Sequence, residues 1–159
     1  MRTALAATWT LLLGMALLML GAGLQGTLVG LRASLEGFPT LLAGIMLAAY
    51  YLGYMVGSVM TPPLVNSVGH VRVFAALTSL ASALILLQGV FVAPLPWTLV
   101  RILMGFCFAG IYVVAESWLN GRVDNEHRGL LLSIYMLVCY GGLGLGQLLL
   151  NVADPRSTL

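Results

Sequence analysis

The stretch Trp97–Asn120, WTLVRILMGFCFAGIYVVAESWLN, decides the fold. It is long enough to cross a bilayer, which takes about 20 apolar residues. Yet it carries Arg101 near its start and Glu116 near its end. A charge at the centre of a membrane helix costs roughly 2.5–3.5 kcal/mol on insertion scales, so such residues usually face a protein interior or a wet cavity. This helix is therefore the first place to look for function.

The rest of the chain has the same apolar character. Of its 159 residues, 60% are hydrophobic and only 8% are charged, whereas soluble domains carry about 25% charged residues. The formal net charge is +2, and every basic residue is an arginine. The clustered cations and aromatic platforms typical of nucleic-acid-binding proteins are missing from the sequence. The composition therefore predicts an all-α membrane protein and excludes a soluble fold or a nucleic-acid binder.

Five apolar segments have the length of membrane spans, at about residues 5–31, 41–60, 73–92, 97–119 and 129–152. The first is too long for a signal peptide, whose apolar region has about 7–15 residues. We expect Pro62 and Pro63 to end the second span, because neither nitrogen can donate and the rings clash with a continuing helix. Leu64–Arg72 would then be a tight loop.

Arginine placement predicts the orientation. The arginines on one side of the predicted spans are Arg2, Arg72, Arg122 and Arg128, and those on the other are Arg32 and Arg156. Cytoplasmic loops carry the excess of arginine and lysine. By four to two, we expect a multi-pass protein of the cell's inner (plasma) membrane with a cytoplasmic N-terminus.

Small residues recur at a spacing of four in most of the spans. They are Ala22, Gly26 and Gly30 in the first, Gly53 and Gly57 in the second, Gly105 and Ala109 in the fourth, and Gly142 and Gly146 in the fifth. This spacing lets helix backbones approach closely in membranes. We interpret these residues as helix-packing positions, which carry no information about a substrate.

Polar side chains inside the spans leave two interpretations open. Gln25 either contacts a substrate or water, or forms a hydrogen bond between helices, and the second is slightly favoured. Tyr50, Tyr51 and Tyr54 either line a polar cavity or pack against neighbouring helices. No nucleophile elbow, paired carboxylates, metal-ligand cluster or phosphate loop is present in the sequence. We therefore expect no enzyme activity, no cofactor and no metal site.

The segment after the second span is similar to a known transporter loop motif, G-x-L-a-D-r-x-G-r-k. The matching residues run from Pro62 to Arg72. The second glycine of the motif is Gly69 and its terminal basic residue is Arg72, whereas Asn66 stands at the acidic position and Pro62 at the first glycine. The charges of the motif are therefore only partly present.

Further motifs follow in the same order as in one family. Arg101 and Gly105 match an R-x-x-x-G pattern, and Glu116 with Arg128-Gly129 looks like the acidic residue and R-G pair of the next cytoplasmic loop. The fifth span ends in the glycine-rich run 141–147. Across nearly the whole chain, these features resemble the N-terminal half of a major facilitator superfamily (MFS) transporter, from an uncharacterised bacterial branch.

That resemblance implies a twelve-helix protein of two six-helix halves, with the substrate bound between them at mid-membrane and access alternating by rocking. This chain would supply five helices of the N-terminal bundle. We expect it to be a fragment, truncated after the fifth helix, rather than a natural half-transporter. The expected partners are a small-molecule substrate, the lipid bilayer, and a C-terminal half in the same or a separate chain.

The resemblance also implies roles for the charged residues. The family's matching arginine faces the central region and is linked to substrate or proton coupling, but Arg101 could equally snorkel outward to lipid headgroups. The family's acidic residue belongs to the cytoplasmic gate, so Glu116 is expected to pair with Arg72 or Arg128. Carrying a proton, or structural pairing alone, are the alternatives for Glu116.

Two sets of candidate site residues follow. The transport and coupling set is Arg101, Glu116, Gln25 and Tyr54. The cytoplasmic gate set is Asn66, Gly69, Arg72 and Arg128. The predicted function is that of a secondary active transporter, moving a small molecule across the inner membrane by alternating access with proton coupling. The alternative is a non-transporting scaffold or truncated subunit that needs a partner polypeptide.

Overall fold

The computed structural model describes residues 2–152, with side chains described for residues 8–150. The five helices are α1 (Arg2–Leu35), α2 (Thr40–Val68), α3 (His70–Val90), α4 (Pro94–Asn120) and α5 (Asn125–Val152). No strand occurs in this part of the chain. The side chains of Arg2 and Arg156, which the orientation count used, lie outside the described residues.

All five helices are long and apolar enough to cross a membrane. The shortest, α3, has 21 residues, and at 1.5 Å per residue it is about 30 Å long, which matches the hydrocarbon core of a bilayer. Large apolar side chains such as Leu41, Val71 and Leu137 are 74–75% exposed on the protein. Lipid rather than water is the solvent that suits this surface. The predicted all-α, multi-pass membrane fold is confirmed.

Helix α2 continues through both prolines to Val68, so the expectation that it ends at Pro62 is wrong. Each proline removes the hydrogen bond that its own nitrogen would have made, and its ring crowds the carbonyl one turn earlier, at a cost of about 3 kcal/mol or more. Leaving the helix within an apolar environment would strip further backbone groups of partners, and each such group costs several kcal/mol. Continuing the helix is therefore the cheaper solution.

The predicted loop Leu64–Arg72 shrinks to a single residue. Gly69 alone separates α2 from α3, and its N–H donates to the carbonyl of Val65 at 2.9 Å. Its φ of 95° and ψ of 153° lie in a region that is essentially restricted to glycine. Asn66 accordingly lies in the last turn of α2, and Arg72 in the first turn of α3.

The chain divides into two compact units, Gly37–Trp118 and Met1–Glu36 with Leu119–Leu159. The first contains α2, α3 and α4, and the second contains α1 and α5. Helix α4 is the most buried: 56% of the residues in its most apolar segment are buried, against 22–28% in the other four helices. The stretch with which the sequence analysis began is thus the central element of its unit.

The short turn between α3 and α4 is closed by Trp97. Its indole Nε1 donates to the carbonyl of Gln88 at 3.0 Å, and its ring makes an edge contact with Phe38 at 5.5 Å between centroids. The Trp97 side chain is only 2% exposed. The hydrogen bond ties the first turn of α4 to the end of α3, one turn before Arg101.

Candidate functional site

The α2–α4 interface is built from glycines that bring the two backbones together. A methyl group on Gly53 would meet the carbonyl of Ile102, and one on Gly105 would meet the carbonyl of Tyr50. One on Gly57 would lie 2.5 Å from the carbonyl oxygen of Phe106. Because residue numbers increase in the same direction along α2 and α4 from one contact to the next, the two helices run parallel. This close packing positions the polar side chains around it.

Arg101 lies inside the protein at this interface. Its side chain is 7% exposed, and it is the only charged residue among the described ones that is buried. Its guanidinium carbon lies over the ring of Tyr50, 4.7 Å from the ring centroid. The side chain is thus turned to a neighbouring helix rather than out to lipid headgroups. Of the two interpretations left open above, the interior one agrees with this geometry.

The tyrosine ring compensates only part of the cost of burying this charge. A desolvated cation–π contact contributes about 2 kcal/mol, whereas an uncompensated buried charge costs about 3–5 kcal/mol. The Nε of Arg101 is buried and has no hydrogen-bond partner among the described residues. The guanidinium therefore has unused capacity to bind an anion.

Within Gly37–Trp118, the unit that contains Arg101, the only carboxylate is that of Glu116. Glu36 forms an ion pair with Arg32, at 3.6 Å, and Asp124 and Glu126 are exposed outside this unit. Glu116 lies fifteen residues further along α4, which is about 22 Å of helical rise. The unit Gly37–Trp118 therefore supplies no carboxylate close to Arg101.

A row of tyrosines extends from Arg101 along the α2–α4 interface. The ring centroids of Tyr50 and Tyr54 lie 6.2 Å apart, and those of Tyr54 and Tyr112 lie 6.5 Å apart. Tyr51 makes an edge contact with Tyr50 at 5.5 Å. Tyr54 was among the predicted site residues, and the structure brings it into one cluster with Arg101 through Tyr50.

Sequence reasoning did not place Tyr50 or Tyr112 in the transport and coupling set. The signal for Tyr112 was its position four residues before Glu116, since residues three or four apart share a helix face. Along α4, Arg101 and Gly105 are four residues apart, Gly105 and Tyr112 seven, and Tyr112 and Glu116 four, which places all of them on one face. For Tyr50 the signal was its position four residues before Tyr54. Which helix that tyrosine face meets depends on packing, which the spacing alone does not reveal.

Glu116 is half-buried near the C-terminal end of α4. Among the described residues of its unit it forms no ion pair with Arg72, whose side chain is exposed. Arg128 is exposed in the first turn of α5 and belongs to the other unit. The predicted gate pairing of Glu116 stays a prediction.

Two of the residues predicted for the gate, Gly69 and Arg72, line a groove at the α2–α3 turn. Its volume is about 290 Å³, and its lining includes Gly69, His70, Arg72 and the ring of Trp118. Asn66 is exposed on the last turn of α2 and is not part of this lining. The structure thus brings Gly69 and Arg72 to one surface with the C-terminal part of α4.

In the other unit, glycines bring α1 and α5 together in the same manner. A methyl group on Gly142 would lie 2.8 Å from the carbonyl oxygen of Ala16, and one on Gly146 would meet the carbonyl of Leu20. On α1 the close contact is made by Gly23, not by Gly26 or Gly30, which have open space around them. The predicted stripe on α1 therefore named the wrong glycines, because spacing does not show which face meets the partner. Gln25 is half-buried on α1.

The described residues contain no group of three His, Cys, Asp or Glu side chains that could hold a metal ion. Cys107 and Cys139 form no disulfide, and both are buried. The polar groups along α2 and α4 are a buried cation, tyrosine rings and a half-buried carboxyl group.

Comparison with known proteins matches this chain to a family of membrane transporters. The sequence profile of the Major Facilitator Superfamily matches residues 4–153. The chain is 35% identical over 141 residues to proteins named "Uncharacterized MFS-type transporter YcaD" from Salmonella arizonae, Salmonella typhi and Salmonella typhimurium. The match covers 89% of this chain and 37% of each relative, so the chain spans about 37% of the length of these curated proteins. No solved structure matches. By profile, relatives and helical architecture, the chain belongs to the Major Facilitator Superfamily.

Proposed function

We propose that this chain is part of a secondary active transporter that moves a small molecule across the inner membrane by alternating access, coupled to protons. The family match over residues 4–153 carries the proposal. Transporters of this kind are built from helical repeats that rock around a binding site at mid-membrane. The parallel α2–α4 pair with its buried Arg101 supports this reading, because intramembrane ionisable residues mark substrate and ion pathways by default.

The proposal includes a second helical half as the partner of this one, in the same polypeptide or a separate one. The relatives' greater length supports it. The intact mass of the natural gene product measures the first possibility directly. A mass well above the 16.9 kDa of this chain is the expected result. A product of 16.9 kDa would favour a subunit that depends on a separate polypeptide.

Transport itself is tested with the natural gene product reconstituted in liposomes that contain a pH-sensitive dye. We expect compounds of one chemical class to produce proton movement that protein-free liposomes do not show. If every class gives the same signal with and without protein, and labelled compounds do not accumulate, then the transporter proposal fails.

Glu116 has a specific role in the proposal, as a gate or a proton carrier near the cytoplasmic end of α4. We expect Glu116→Gln to lower proton-driven uptake by roughly 10-fold or more, since coupling free energies are typically 1–3 kcal/mol. Glu126→Gln is the matched control, because Glu126 is exposed in the first turn of α5. Unchanged uptake and unchanged pH dependence in Glu116→Gln would exclude both roles.

A further inference from the structure

Arg101 and Tyr50 form a cluster whose chemistry is incomplete. The guanidinium carbon of Arg101 lies 4.7 Å from the centroid of the Tyr50 ring. Arg101 is only 7% exposed, and its Nε lacks a hydrogen-bond partner among the described residues. A buried cation normally has an acidic partner. Here the nearest elements supply aromatic rings instead.

The unpartnered Nε of Arg101 shows which edge of the guanidinium could form further hydrogen bonds. An arginine presents its N–H groups as a fixed planar fork that binds the two oxygens of a carboxylate through parallel hydrogen bonds. One such fork consists of Nε and the adjacent terminal nitrogen. A carboxylate that formed these two bonds would lie in the plane of the guanidinium, beside Nε.

We infer that Arg101, backed by Tyr50, is the binding site for the carboxylate group of the transported molecule. The inference rests on the proposed transport function and adds the substrate class: organic monoanions or dianions that carry a carboxylate. The unit that contains Arg101 supplies no carboxylate close to it, so an incoming anion would provide the counter-charge. Because Nε is buried in this structure, the side chains around it have to move before an anion can reach it. Such a movement is expected of a transporter that closes around its substrate.

The test is a ligand-dependent shift of thermal unfolding, measured on the natural gene product purified in detergent. The probes are benzoate and succinate, with benzamide and succinamide as their neutral counterparts at equal ionic strength. A ligand that binds only the folded state raises the unfolding midpoint in proportion to its affinity. We expect at least one carboxylate to raise the midpoint, and neither amide to do so.

Variants assign the effect to this cluster. Arg101→Gln should lower the affinity for the carboxylate by about 10- to 100-fold, the range expected when a hydrogen bond to a charged group is lost. Arg32→Gln is the matched control, because it makes the same substitution at the end of α1, and it should leave the affinity unchanged. Should Arg101→Gln fail to fold, Arg101→Lys keeps the charge but loses the fork, and it should bind more weakly than wild type. Tyr50→Phe should retain binding, since the ring is what contacts the cation.

The results separate this inference from the function on which it rests. It is overturned if no carboxylate shifts the midpoint, if an amide shifts it equally, or if Arg101→Gln binds as wild type does. Binding of carboxylates without uptake into liposomes would contradict the transport proposal and leave the site intact. Uptake of a cation or a neutral compound, without carboxylate binding, would contradict the site and leave transport intact.

Discussion

At Gly53 the space for a side chain is already taken. An added methyl group would meet the backbone carbonyl of Ile102, and a backbone atom cannot move aside as a flexible side chain can. At Gly44, on the same helix, an added methyl group meets nothing within 4 Å. A side chain is therefore excluded at Gly53 but has room at Gly44, although both glycines lie within one helix.

We expect Gly53→Ala to destabilise the protein by about 1–3 kcal/mol, the usual cost of overpacking. Gly44→Ala should be neutral or stabilising by up to about 1 kcal/mol, because alanine loses less backbone entropy in a helix. Denaturant titration of the purified protein, followed by tryptophan fluorescence, measures both changes. Equal effects at the two positions would contradict the close α2–α4 contact.

At the level of individual residues, the sequence indicated that Arg101 is a candidate site residue but did not predict which way its side chain turns. Whether a long cationic side chain turns outward to headgroups or inward to a ring depends on which helix lies beside it. The pattern around Arg101 contains no information about Tyr50, fifty-one positions earlier. Only the packing of α2 on α4 shows that the two meet.

At the scale of elements, one side-chain hydrogen bond joins the two ends of the turn between α3 and α4. The indole of Trp97 reaches back to the carbonyl of Gln88 at 3.0 Å, where both groups are buried. We expect Trp97→Phe to cost about 1–3 kcal/mol, because the carbonyl would be left buried without this donor. Trp9→Phe is the control, since Trp9 is 64% exposed. Thermal unfolding in detergent measures both, and an equal loss in the two variants would contradict the role of the bond.

The elements themselves were largely predictable, and their ends were not. Apolar runs of membrane length predicted all five helices, because a bilayer leaves few alternatives to a helix. The end at Pro62 was predicted wrongly because a rule taken from soluble helices was applied where water cannot satisfy a broken backbone. The close contact at Gly23 was missed because α1 has small residues on more than one face.

At the scale of the whole molecule, the positive-inside count predicts that the α2–α3 turn is cytoplasmic. Ser67, beside this turn, and Ser34, in the last turn of α1, are both exposed. In a protein with Cys107 and Cys139 replaced by alanine, we expect an impermeant maleimide added to intact cells to label Ser34→Cys but not Ser67→Cys. Ser67→Cys should react only after the membrane is opened. The reverse pattern would mean that the N-terminus faces outward.

The single residue between α2 and α3 has a mechanical consequence. A long, flexible loop between two helices lets one helix tilt while the other stays in place. Gly69 is instead the whole connection between α2 and α3. Its N–H donates a hydrogen bond to the carbonyl of Val65, and its φ is positive, which residues other than glycine rarely adopt. Because no flexible segment separates the two helices, we expect a change in the tilt of α2 to move the N-terminal end of α3 with it.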